Sequence, residues 1–252
     1  MAALILSACG SPNGQHATGR TTTPTSSLPL TSTTVLASGV RTVLSPLGLN
    51  IRVEPAKAAT VLRTAAPGAV LTVLAQSEQG GGWFEVKGPT VTGWISSDAT
   101  LSAPGMFSSY ASTQLQVSLL YPDGWTHSDL PPASVVFRPS SGGDTVVVTT
   151  ATTVNQLGRG RPGYHQTDDE QVVVCGVTGD LVTFVEAGDP TTTTQAGGVV
   201  AERYLVQVHL TLDAQHALGI DANLADTSQL QSYRDLVNSV TFPFPQCQLA
   251  GA

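Results

Sequence analysis

The chain has 252 residues, which allows one large domain or two ordinary ones plus tails, and two is the better expectation. Only 12% of residues are charged, 11 basic against 18 acidic for a net charge of −7, and Lys57 and Lys87 are the sole lysines. A surface for nucleic acid needs a cluster of cations, so that class is excluded, and with no apolar run of about 18 residues the chain reads as globular rather than membrane-embedded.

Residues 1–9 place Leu6, Ser7 and Ala8 directly before Cys9, after a short apolar run from Ala2. This resembles a bacterial lipoprotein signal ending in a lipobox. The resemblance implies that the Cys9 thiol takes a diacylglyceryl group that anchors the protein to the membrane outside the cytoplasm. Residues 10–45 are dominated by Thr, Ser, Pro, Gly and Ala, with too little apolar surface to offset ordering entropy. They read as a disordered tether, with a reach of roughly 30 to 35 Å.

With Cys9 lipidated, Cys175 and Cys247 remain as an even pair in an oxidising compartment. A disulfide between them would be worth roughly 4 kcal/mol in the chain-entropy model; two separate buried thiols are the alternative.

From 46 to 103 short β-type runs alternate with turn residues. Leu49–Arg52 alternates apolar and polar, Pro67-Gly68 precedes Val70–Leu74, and Gly80-Gly81-Gly82 turns into Trp83–Val86. Gly93-Trp94-Ile95 follows. In order, these segments resemble the bacterial SH3 (SH3b) domain: an L-N-V-R-like opening, a P-G turn, a G-W-x-x-V strand and a G-W-I strand. Glu54-Pro55 departs from the usual residues after the Arg. The resemblance implies a small β-barrel that binds peptidoglycan or peptides, or serves as an adaptor, without catalytic residues. Trp83 and Trp94, with neighbouring Phe84, are the candidate ligand-binding residues, since an indole offers a broad face and one N–H donor. A barrel this small also needs its aromatics for its core, and Trp94, just before Ser96-Ser97-Asp98, is expected to be the more exposed indole. Arg52 and Asp98 read as solvated or paired charges.

Pro104-Gly105 separates a second domain at 106–247. Leu115–Tyr121 is strand-like and breaks at Pro122-Asp123-Gly124. Val135–Arg138 with Asp144–Thr150 reads as a hairpin; Gln171–Gly176 with Asp180–Glu186, turning at Val177-Thr178-Gly179, as a second; and 198–210 with Ala217–Ala222 as a third. Asp226 with Gln229 marks a helix start, and Leu230, Tyr233, Leu236, Val237 and Val240 keep helical spacing over about 227–239. Tyr121-Pro122-x-Gly124-Trp125, the V-x-F of Val135–Phe137 and the terminal helix resemble the PsbP-like (Mog1/PsbP) family. Between Trp125 and Val135 only a turn is expected. The fold expectation is mainly β with α+β: an SH3-like barrel, then an antiparallel-sheet α/β/α-type PsbP-like domain with a C-terminal helix.

Chemistry is sparse. His209, Asp213 and His216 fall near one hairpin, but a zinc site needs three or four convergent ligands. Tyr164–Glu170 groups a His with three carboxylates, yet without EF-hand spacing it reads as a solvated acidic loop. No G-x-S-x-G elbow occurs, and Cys175 follows the buried-strand run Val172–Val174. No catalytic residue, metal or cofactor is therefore expected. The leading expectation is a lipid-anchored extracytoplasmic protein binding peptidoglycan or a cell-wall peptide. An envelope assembly or adaptor protein working through protein contacts is the alternative, and an enzyme of unknown type is the third.

Overall fold

A computed structural model describes residues 35–140, 142–187, 203–244 and Cys247. Cys9 and most of the expected tether lie outside these residues. The first sheet comprises β1 (Val35–Val43), β2 (Leu49–Arg52), β3 (Val61–Ala65), β4 (Val70–Ser77), β5 (Trp83–Lys87), β6 (Thr92–Ser96) and β7 (Ser102–Pro104). Its seven strands run in the order β3-β2-β6-β5-β4-β1-β7. Leu49 and Ile51, near one end of that order, share a core with Val43 and Leu71, near the other, which requires the sheet to curl over itself.

β1 corrects the expected boundary at 46: residues 35–43 of the supposed tether are a barrel strand. Their small polar neighbours masked a strand whose Val40, Thr42 and Val43 are β-branched, and which pairs with both β4 and β7. The glycine of the G-W-I segment has a packing reason. A Cβ on Gly93 would lie 2.5 Å from Arg52 O and 2.9 Å from Ile51 Cγ2, so only glycine lets β6 lie against β2.

The second domain opens with the hairpin β8 (Phe107–Ser112) and β9 (Val117–Pro122). Then come β10 (Thr126–Leu130), β11 (Ser134–Arg138), β12 (Thr145–Ala151), β13 (Tyr164–Val174), β14 (Val177–Glu186), β15 (Tyr204–Thr211), β16 (Ala217–Leu224) and α1 (Leu230–Asn238). β10 to β16 make a seven-stranded sheet in the order β10-β11-β12-β16-β15-β14-β13, antiparallel throughout. One face, bearing Phe137, Val148, Ile220 and Val208, is buried beneath the β8–β9 hairpin and α1. Tyr233 of α1 is fully buried there and its hydroxyl donates to Ile220 O at 2.7 Å. Asp226 caps the short 3₁₀ turn ahead of α1 by accepting from Ser228 N at 2.6 Å. The opposite face is covered by loop 152–163, which carries a single 3₁₀ turn, Val154–Gln156.

Three local expectations give way. The segment after Trp125 is a strand, β10, whose side chains are all exposed; at a sheet edge it has no buried face, so it shows no apolar alternation. The acidic run Tyr164–Glu170 is not a loop but the exposed first half of β13, paired with β14. The β13–β14 turn is Cys175-Gly176, not Val177–Gly179: both turn residues have positive φ, 48° and 79°, and Val174 pairs directly with Val177. Two left-handed residues are what a tight hairpin demands. Gly179 instead lies within β14, where a Cβ would come within 2.7 Å of His209 O.

Cys175 and Cys247 are disulfide-bonded, with Cα atoms 4.5 Å apart and a sequence separation of 72. The bond fastens the segment beyond Phe244 to the tip of the β13–β14 hairpin.

Candidate functional site on the barrel

The strand register decides which aromatics can act together. Trp83 pairs with Ser96, Glu85 with Trp94, and Trp94 in turn with Arg52, so all of these share the outer face of the β2-β6-β5 part of the sheet. Phe84 pairs with Ile95 and packs on the barrel core, with the Arg41 guanidinium 4.5 Å from its ring centroid. Adjacent residues on a strand face opposite ways, so Phe84 does not join the two tryptophans.

A groove of about 500 Å³ lies on that outer face, lined among others by Asn50, Arg52, Lys57, Trp83, Ser96 and Asp98. Trp94 sits beside it next to Arg52 without lining it. As expected, Trp94 is the more exposed of the pair: it is half-buried, whereas Trp83 is 3% exposed. The Trp83 Nε1–H is buried with no hydrogen-bond partner among the described residues. An unmade bond of this kind costs about 1 to 3 kcal/mol, so a native protein rarely leaves one without a use.

The charges around the groove are fixed by local contacts. Arg52 Nη1 donates to Ala59 O at 2.7 Å, which holds the β2–β3 loop and leaves the other guanidinium N–H groups for a ligand. Asp98 accepts from both Thr100 N at 2.9 Å and Thr100 Oγ1 at 2.7 Å. Asn50 Oδ1 is taken up by the Thr64 hydroxyl at 2.7 Å. Two cations, one tied carboxylate and a tryptophan wall make a surface for an acceptor-rich ligand and carry no nucleophile with a base beside it. Sequence reading missed Asn50, Arg52 and Lys57 as site residues. The signal was the alternation of β2, where Leu49 and Ile51 point into the core and Asn50 and Arg52 away from it.

The weighed metal sites do not assemble. His216 Nδ1 lies 2.8 Å from Asp213 within the β15–β16 turn, while His209 projects from the sheet and pairs with Asp221 at 3.2 Å. Among the described residues no group of three His, Cys, Asp or Glu converges as metal ligands would.

Residues 47–100 match the family model of the bacterial SH3 domain, in agreement with the segments from Leu49 to Ser97. Among solved structures, the chain is similar to the solution structure of cyanobacterial PsbP (CyanoP) from Synechocystis sp. PCC 6803. The TM-score is 0.39 at 18% identity, over 54% of this chain and 92% of that one. It is also similar to a crystal structure from Bacteroides thetaiotaomicron, with a TM-score of 0.34 at 11% identity, over 53% of this chain and 47% of the other. No curated protein matches the chain.

Proposed function

We propose that the chain is a non-enzymatic, extracytoplasmic binding protein that holds a cell-wall component, peptidoglycan or a wall peptide, in the outer groove of its barrel. The groove lined by Arg52, Lys57, Trp83 and Asp98 carries this reading, and its position within the match to the bacterial SH3 domain supports it. A lipid on Cys9 would keep the protein at the membrane, and the resulting proximity makes weak binding sufficient. Among the described residues no helix is long and apolar enough to cross a bilayer.

The direct test is sedimentation of the full chain with purified cell-wall sacculi. The wild type should pellet with the sacculi, and Arg52→Ala and Lys57→Ala, both in the groove lining, should each weaken binding by about fivefold or more with the protein still folded, as expected for losing one charged contact. A wild type that stays in the supernatant and is instead retained by solubilised envelope proteins would replace this reading with the adaptor one. Labelling with a palmitate analogue should mark the wild type and spare Cys9→Ala.

A further inference from the structure

The second face of the C-terminal sheet carries a polar network that the barrel reading does not use. Gln207, 5% exposed, has every polar position engaged: Oε1 accepts from Gly160 N at 2.7 Å, and Nε2 donates to Gly158 O at 3.3 Å and to Asp221 Oδ2 at 3.0 Å. Arg161 Nη1 adds a bond to Asn223 Oδ1 at 2.7 Å. Loop 152–163 is thereby clamped over the sheet, with left-handed Gly158 and Gly160 bringing its backbone down onto Gln207.

Between loop and sheet lies a pocket of about 250 Å³, open to solvent at its mouth, with Asp180, Val182, Gln207 and His209 on the sheet side and the exposed Asn155 and Arg159 on the loop side. Cavities for drug-sized ligands run from roughly 300 to 1,000 Å³, so this one fits something smaller, of about amino-acid size.

The groups left over define the ligand. Asp221 accepts from Gln207 and, as a carboxylate, can only accept from His209 Nε2, so the neutral imidazole carries its proton on Nε2 and presents Nδ1 as an acceptor. Asp180 stands directly across the strands from His209, with their Cβ atoms about 5 Å apart, and its carboxylate has no hydrogen bond or ion pair among the described residues. The sheet side thus offers two adjacent acceptors. The loop side offers the Asn155 amide and the Arg159 guanidinium, of which only Nη2 is taken, by Asp169 at 2.9 Å and Gln166 at 3.4 Å. Acceptors on one side and donors on the other complement a molecule with the reverse polarity.

We propose that this cavity binds a small zwitterion of the free amino-acid class, its ammonium held by Asp180 and His209 Nδ1 and its carboxylate by Arg159 and Asn155. The Gln207 clamp holds the loop backbone at Gly158 and Gly160 in place before any ligand enters, which lowers the ordering cost of binding. It is independent of the barrel groove.

The experiment is a ¹H–¹⁵N NMR titration of the full chain with glycine and L-alanine, and separately with methylamine and with acetate. Glycine or alanine should cause saturable shifts at the amides of Gly158, Asp180 and His209, with affinity at least about tenfold above either half-molecule, since each lacks one charge-assisted contact. Asp180→Asn and Arg159→Gln should each lower that affinity about tenfold with the rest of the spectrum unchanged. Should either variant unfold, the wild-type comparison of the four probes decides alone. No saturable shift with either amino acid means a water-filled cavity and overturns the proposal. Equal affinity for methylamine or acetate, or shifts centred elsewhere, overturns it as well.

Discussion

The two sheets have the same number of strands and very different economies of burial. The barrel curls over a small aliphatic core, and Leu47, Val53, Val61, Leu62 and Val70 remain exposed on it. The C-terminal sheet is covered on one face by a hairpin and a helix and on the other by a loop, and its exposed large apolar residues, Leu130 and Val173, both lie on edge strands. A small closed sheet has too little interior for all its side chains, so aromatic and apolar groups are left on its outside, where they can meet a ligand. A sheet with separate covering layers buries most of its apolar groups, and a pocket opens where the covering loop 152–163 meets the sheet. The barrel therefore offers a groove on its bare outer face, and the second domain a smaller pocket between a loop and its sheet.

The larger buried core lies in the C-terminal domain, and the largest expected effect follows from that. Tyr233→Ala removes a fully buried ring and its bond to Ile220 O, and should destabilise the protein by about 3 to 5 kcal/mol, read as a lower denaturant midpoint. A loss below about 1 kcal/mol would break the comparison. Next, Cys175→Ser opens the disulfide and should cost about 2 to 4 kcal/mol, most of it through the unfolded chain, while sacculus binding by the barrel persists below the melting temperature.

The smallest effect concerns Asp235, buried on α1, whose carboxylate accepts from Gln231 Nε2 at 2.8 Å. Burial raises its pKa above the ordinary value of 3.8, with the Gln231 bond and the Arg41 charge opposing the shift. Because the folded pKa lies above the unfolded one, the protonated form contributes stability that is fully present below pH 3.8 and is lost as pH rises through the folded value. Asp235→Asn keeps the acceptor oxygen and removes the titration. Its melting temperature should therefore gain on the wild type as pH rises through that window, and a constant difference between the two would show that the charge is not the cause.

Much of this was legible in the sequence where burial imposes a period. The runs at Leu49–Arg52, Val70–Leu74 and Val135–Arg138 alternate because one face is inside, and α1 shows its buried stripe at Tyr233, Leu236 and Val237. What escaped lacked that constraint. β10 and the acidic half of β13 are edge strands with exposed side chains, and β1 sits in Thr- and Ser-rich surroundings. The Cys175-Gly176 turn was hidden because a cysteine in a left-handed conformation is not a turn signature. At the barrel site, strand alternation already separates Phe84 from its neighbour Trp83. The cavity beneath loop 152–163 was out of reach, since it joins residues from three distant stretches of chain.

The outer half of β13 has one further consequence, for how these molecules meet each other. Among the described residues β13 is the last strand of its sheet, and its backbone edge could template another strand. Asp168, Asp169 and Glu170 follow one another there, the exposed Asp169 ion-paired with Arg159 and the half-buried Glu170 with Arg234. A second copy adding antiparallel at this stretch would set carboxylate against carboxylate at strand spacing, about 5 Å. Where such molecules crowd together, the acids on β13, Asp168 among them without an ion pair among the described residues, disfavour edge-to-edge pairing of two copies through this strand.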